Sequence, residues 1–192
     1  MQHLQGRPAL SEESAPTSAA PAKKAPPRWR RWLLEAAIFL AALVAFQMWQ
    51  LRDTARGPAP EFTAQRLDGS PFRLADWRAA QPGRATLLYF WAEWCPVCRT
   101  TAGNVTALAE DWPLTSIVSQ SGEAASIVRL MQERGYAWPS VVDARGEIMK
   151  QYGLPGVPGF VIIAPNGEIR FVSVGYTSEL GLRLRLWWAS RA

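Results

Sequence analysis

Phe90-Trp91-Ala92-Glu93-Trp94-Cys95-Pro96-Val97-Cys98-Arg99 contains both cysteines of a 192-residue chain. The apolar run leading into it, residues 85–92, holds Leu87, Leu88, Tyr89, Phe90 and Trp91 without a polar alternate, and reads as a strand buried on both faces. Proline suits the first position of a helix, so a helix is expected from Cys95 or Pro96 to about Glu110. Thr100, Thr101, Gly103, Val105 and Thr106 are poor helix formers, and packing must hold that segment or bend it. A Cys-x-x-Cys at a strand-to-helix turn sets its first sulfur near unpaired N–H groups and the positive end of the helix dipole, which favours the thiolate. Cys95 is therefore expected to be the nucleophile, and Cys98 the thiol that resolves a mixed disulfide.

Two cysteines in one motif exclude a disulfide framework and point to redox chemistry or half of a metal site. The single histidine, His3, is far away in sequence, and structural zinc usually needs four Cys or His ligands, so no metal site is expected. No organic cofactor is implied. The net charge of +5 suggests nucleic acid until it is located. Arg7, Lys23, Lys24, Arg28, Arg30 and Arg31 against Glu12 and Glu13 give residues 1–31 a charge of +4, leaving +1 for the remaining residues. Such a balanced surface has no basic stripe to follow phosphates, and nucleic acid is excluded as a partner.

Residues 1–27 are rich in Ala, Pro and Ser and offer little apolar surface to offset ordering, so a disordered cytoplasmic arm is expected there. Residues 28–51 read as a transmembrane anchor, with an apolar stretch over 33–51 flanked by Trp29, Trp32 and Trp49. Glu35 lies in the first turn, while Gln47 and Gln50 shorten the apolar part at the far end. The basic cluster precedes this stretch, which places the N-terminus in the cytoplasm and everything after Arg52 across a single-pass inner membrane, in the periplasm of a bacterium. Gln47-Met48-Trp49-Gln50-Leu51-Arg52 offers no small-x-small cleavage site close after it.

A linker is expected over 52–60 and a folded domain over 61–192. Asp68-Gly69 and Pro165-Asn166-Gly167 mark two hairpins, the second between strands at 160–164 and 168–174. Residues 115–119 read as another buried strand, and 123–134 as a helix closed by Gly135. A last helix over about 178–189 would set Leu180, Leu184 and Trp187 on one face. Strand and helix alternate in the middle of the domain, implying parallel pairing there.

Phe90 to Arg99 resembles the active-site segment of thioredoxins. Tyr152-Gly153-Leu154-Pro155-Gly156-Val157-Pro158-Gly159-Phe160-Val161-Ile162-Ile163, followed by Pro165-Asn166-Gly167-Glu168-Ile169, resembles the C-terminal half of extracytoplasmic TlpA-like thioredoxins. The similarity covers about residues 61–192. Within that group the anchor and Trp-Cys-Pro-Val-Cys are nearest to the suppressor-for-copper-sensitivity D type. The resemblance implies an α/β fold, a thioredoxin-like α/β/α three-layer structure with a central mixed sheet, preceded by one transmembrane helix. It implies a cis Val157-Pro158 bond facing the cysteines, with the Val157 backbone pairing with substrate. Trp94, Pro96 and Val97 would flank the site, whereas Trp91 is equally well read as core.

Tyr89 stands where thioredoxins carry a buried acid that helps deprotonate the resolving thiol, leaving Glu93 or water for that task and predicting slow resolution by Cys98. Thr101 and Gly159 replace acids typical of the cytochrome c maturation branch, which ranks that role lower. The expected activity is a protein-disulfide oxidoreductase that exchanges with extracytoplasmic protein thiols or disulfides. An integral-membrane thiol electron donor of the DsbD-like type would recycle it. Reduction is the favoured direction, although Pro96 resembles oxidising motifs. The rival from another class is a copper carrier using both thiolates, since soft sulfur suits Cu(I).

Overall fold

The run of apolar residues before the cysteines forms β4 (Thr86–Trp91), in which every residue is buried, as in its neighbour β5 (Leu114–Ser119). Burial on both faces is worth about 1.5–3 kcal/mol for each fully covered Leu or Phe, and it fixes these two strands at the centre of the domain. They belong to a computed structural model that describes residues 28–50 and 52–191. The arm expected over 1–27 lies outside the described residues.

The elements in chain order are α1 (Arg28–Gln50), β1 (Gly57–Pro58), β2 (Thr63–Arg66), β3 (Pro71–Arg73), α2 (Leu74–Ala79), β4, α3 (Pro96–Asp111), β5, α4 (Ala124–Glu133), β6 (Ser140–Asp143), α5 (Glu147–Gln151), β7 (Gly159–Ile163), β8 (Glu168–Val174) and α6 (Glu179–Ala189). The eight strands form one sheet in the order β1-β8-β7-β4-β5-β6-β2-β3. β4, β5 and β6 run parallel, and every other pair is antiparallel. Ile127 and Met131 of α4, Val105 and Leu108 of α3, and Leu182 and Leu186 of α6 share one core with Leu87, Tyr89 and Trp91. Leu74 of α2 and Ile148 of α5 pack on the other side, with Leu88, Phe90 and Tyr152. The result is the expected three-layer arrangement around a mixed sheet.

Four expectations change. Leu180, Leu184 and Trp187 are the exposed face of α6, while Leu182, Leu186 and Ala189 are buried. Leucine occupies every second position from 180 to 186, so two stripes are equally apolar, and the one that includes small Ala189 packs closely. The segment expected as linker is partly built in: Gly57 and Pro58 pair with Ile169 and Glu168, and Ala59 is buried. β6 and α5, unassigned in the sequence, complete the sheet and the second layer. Finally, α1 is helical as expected, but no helix among the described residues is long and apolar enough to cross a membrane. Within that helix the continuous stretch of described side chains, residues 29–46, includes Arg30, Arg31 and Glu35.

Candidate active site

β4 ends at Trp91, and four residues later Cys95 caps the 16-residue α3. Cys95 has extended backbone angles, φ −83° and ψ 111°, and its Sγ accepts from the Cys98 N–H at 3.1 Å. Pro96 occupies the first helical turn, where its missing N–H is no loss. Cys95 and Cys98 are joined by a disulfide with a Cα–Cα distance of 5.3 Å. When the pair is reduced, the donors that face Cys95 Sγ are those that stabilise a thiolate at a helix N-terminus.

Both cysteines are nearly covered, at 3% exposure each. Trp94, Pro96 and Val97 form an exposed rim beside them. Trp94 is held by its Nε1–H, which donates to the Gln120 carbonyl at 2.9 Å. Opposite, Val157-Pro158 is a cis peptide, Pro158 is buried, and the Val157 carbonyl oxygen lies 3.7 Å from Cys95 Sγ. The structure thus gathers Trp94, Cys95, Pro96, Val97, Cys98, Val157 and Pro158 at the start of α3 and the cis-proline turn. Trp91 sits in the core, 2% exposed, with its Nε1–H donated to Ser116 Oγ.

Glu93 is placed differently. Its carboxylate accepts the Gly122 N–H at 2.8 Å, and its own N–H donates to Ser121 Oγ at 3.1 Å. Among the described residues no hydrogen bond joins it to either cysteine. Tyr89 stands on the other side of Cys98: its hydroxyl donates to the Cys98 carbonyl at 3.4 Å, and its ring stacks on Phe160 with centroids 5.1 Å apart. Burial, with a smaller contribution from Tyr136, pushes the Tyr89 phenol far above its ordinary range. It stays protonated and serves as a donor, not as a base.

Gln120 went unnoticed in the sequence. It adopts φ 48°, a left-handed conformation costly for a side chain with a Cβ. It bridges the site to β6 through its N–H, which donates to the Asp143 carbonyl. A Gln-Ser-Gly run after a buried strand signals a turn, but not which residue takes the strained angle.

The AhpC/TSA family profile matches residues 55–172. A thioredoxin-like protein of Haemophilus influenzae is 32% identical over 130 residues, covering 67% of this chain and 75% of that protein. The thiol:disulfide interchange protein DsbE of Escherichia coli K12 is 26% identical over 172 residues, 82% of this chain and 90% of its own length. Among solved structures, the exposed lipoprotein thioredoxin of Streptococcus pneumoniae superposes with a TM-score of 0.57 at 21% identity, covering 67% of this chain and 99% of that one. The fold is thioredoxin-like.

Proposed function

Because the chain belongs to the AhpC/TSA family, we propose that it is a protein-disulfide oxidoreductase whose working direction is reduction of extracytoplasmic protein disulfides. The activity is supported by the Cys95–Cys98 disulfide in a thioredoxin-like fold and by a relative that carries the name thiol:disulfide interchange protein. The observation that carries the proposal is the position of Cys95 Sγ, at the N-cap of α3, bonded to Cys98 and 3.7 Å from the Val157 carbonyl.

In the reductive cycle the Cys95 thiolate attacks one sulfur of a substrate disulfide. That bond breaks, and the departing substrate thiolate takes up a proton. Cys98 then loses its proton, its sulfur attacks Cys95 Sγ, and the second substrate thiolate leaves. The substrate gains two electrons, and the Cys95–Cys98 disulfide forms. With Glu93 turned to Gly122 and Tyr89 protonated, deprotonation of Cys98 falls to water or to a displaced Glu93, and resolution is expected to be slow.

A membrane setting completes the proposal. The full apolar stretch, residues 33–51, carries one charged residue, Glu35, and three basic residues, Arg28, Arg30 and Arg31, gather just before it. A 23-residue helix extends about 34 Å, comparable to a hydrocarbon core. We therefore place the chain as a single-pass inner-membrane protein with its domain in the periplasm, recycled by an integral-membrane thiol donor of the DsbD-like type. The TlpA-like subtype of the copper-sensitivity suppressor kind is supported by the anchor stretch together with Trp-Cys-Pro-Val-Cys.

The test is the reduction potential of the pair by equilibration with glutathione buffers. A value at or below about −200 mV supports a reductase, whereas one near −120 mV makes it an oxidant. Stoichiometric Cu(I) binding without disulfide exchange would instead favour the copper carrier.

A further inference from the structure

Between the outer side of β8 and α6 runs a groove of about 510 Å³, lined by Val172, Val174, Tyr176, Ser178 and Arg185 among others. β1 covers β8 only at Glu168 and Ile169. Residues 171–174 therefore have no neighbouring strand on their outer side among the described residues. On the inner side, the Gly175 N–H donates to the Pro158 carbonyl at 2.8 Å, and Ser173 lies opposite Phe160. Residues that face the partner alternate with residues that face away in an antiparallel ladder. The N–H and C=O groups of Val172 and Val174 are thereby turned towards the groove.

The opposite wall carries an unpartnered donor on a half-buried arginine. Arg185 Nη1 is buried and has no hydrogen-bond partner among the described residues, a state that costs free energy until an acceptor arrives. The active site lies one strand further in. Val174 is opposite Gly159, which follows the cis Pro158, and the Val157 carbonyl is the group 3.7 Å from Cys95 Sγ.

We propose that this groove is a substrate subsite for an extended polypeptide segment, which adds as a strand along Val172–Val174 and sets a carboxylate side chain against Arg185. The proposal rests on the oxidoreductase reading and names the substrate feature it selects. An open strand edge offers a row of donors and acceptors to any extended peptide. The guanidinium fork matches a carboxylate in geometry as well as charge. A strand added outside β8 lies two strand spacings, about 10 Å, from β7, a distance that about three extended residues span. The acidic residue is thus expected about three to five positions from the substrate cysteine.

The test uses the reduced full-length chain and follows its oxidation rate by three disulfides. Two are peptide disulfides of one sequence, with Glu or Lys about four positions from the cysteine, and the third is glutathione disulfide. Wild type is expected to react about tenfold faster with the Glu peptide than with the Lys peptide, the worth of one charge-assisted hydrogen bond. Arg185→Gln should erase that preference and Arg185→Glu invert it, with the glutathione disulfide rate unchanged in both. Val172→Pro removes one outward N–H at an edge position where proline is tolerated, and should slow both peptides alone. Equal rates for the two peptides in wild type, or variants that slow glutathione disulfide equally, would overturn the subsite while leaving the oxidoreductase intact. No oxidation by any of the three would sink both.

Discussion

Cys95 and Cys98 have separable tasks, because only Cys95 faces the Val157 carbonyl and sits at the helix cap. Cys98→Ser is expected to accumulate a covalent substrate complex through Cys95, visible on non-reducing gels, whereas Cys95→Ser should accumulate none and should lose turnover to background. Glu93 presents a sharper case. Its carboxylate accepts the Gly122 N–H, so Glu93→Gln keeps an acceptor there and should cost under about 1 kcal/mol in denaturant unfolding. The pH profile of Cys98 attack should be the same in wild type and in this variant. A profile shifted by the substitution would show that Glu93 leaves Gly122 during the reaction and acts as the base. The cysteine pair and its rim were legible in the sequence because their chemistry depends on spacing and on the helix start. The direction of the Glu93 side chain was not, since it depends on where the loop after β5 passes, as does the hold of the Gln120 carbonyl on Trp94.

At the scale of elements, α3 is a helix made from unpromising residues. Thr100, Thr101 and Thr106 return their hydroxyls to carbonyls one turn earlier, and Val105 and Leu108 bury its inner face. Packing therefore supplies what propensity does not. Gly103 lies on the exposed side, and a Cβ there would meet nothing within 4 Å. Gly103→Ala is expected to raise unfolding free energy by about 0.5–1 kcal/mol, with the reduction potential unchanged; a loss of stability would mean that the helix needs the glycine to bend. Elements with one dominant signal were readable in advance: β4 and β5 as unbroken apolar runs, the hairpin at 165–167 by its turn residues. β6 was not, since it has four residues with Ser140 and Asp143 at its ends. The buried Asp143 carboxylate accepts the N–H groups of Ile148 and Met149 and so starts α5, a link between elements that no local pattern displays. The facing of α6 failed for a related reason, since two leucine stripes compete and only the partner surface decides between them.

The domain as a whole has two cores, one on each face of the sheet, and each encloses a tyrosine: Tyr89 with α3, α4 and α6, Tyr152 with α2 and α5. Tyr89 donates to the Cys98 carbonyl and Tyr152 to the Pro60 carbonyl at 2.7 Å. Burial is the main cause that pushes both phenols well above the ordinary value of 10.0, assisted by Tyr136 for Tyr89 and by Glu61 for Tyr152. Folding thus holds two protons that the unfolded chain gives up near pH 10. The stabilisation is complete below that pH and is lost as pH rises towards the raised folded values, by about 1.4 kcal/mol per pH unit for each tyrosine. Few other groups interfere, because the chain has three lysines and disulfide-bonded cysteines do not titrate. Denaturant unfolding of the oxidised protein between about pH 8 and about pH 11.5 should be flat at first and then fall at about 2.7 kcal/mol per pH unit. Tyr89→Phe and Tyr152→Phe should each cost about 0.5–1.5 kcal/mol at neutral pH through the lost hydrogen bond, and each should halve the alkaline slope. A slope that survives either substitution unchanged would mean that the corresponding core opens to hydroxide before the rest of the domain unfolds.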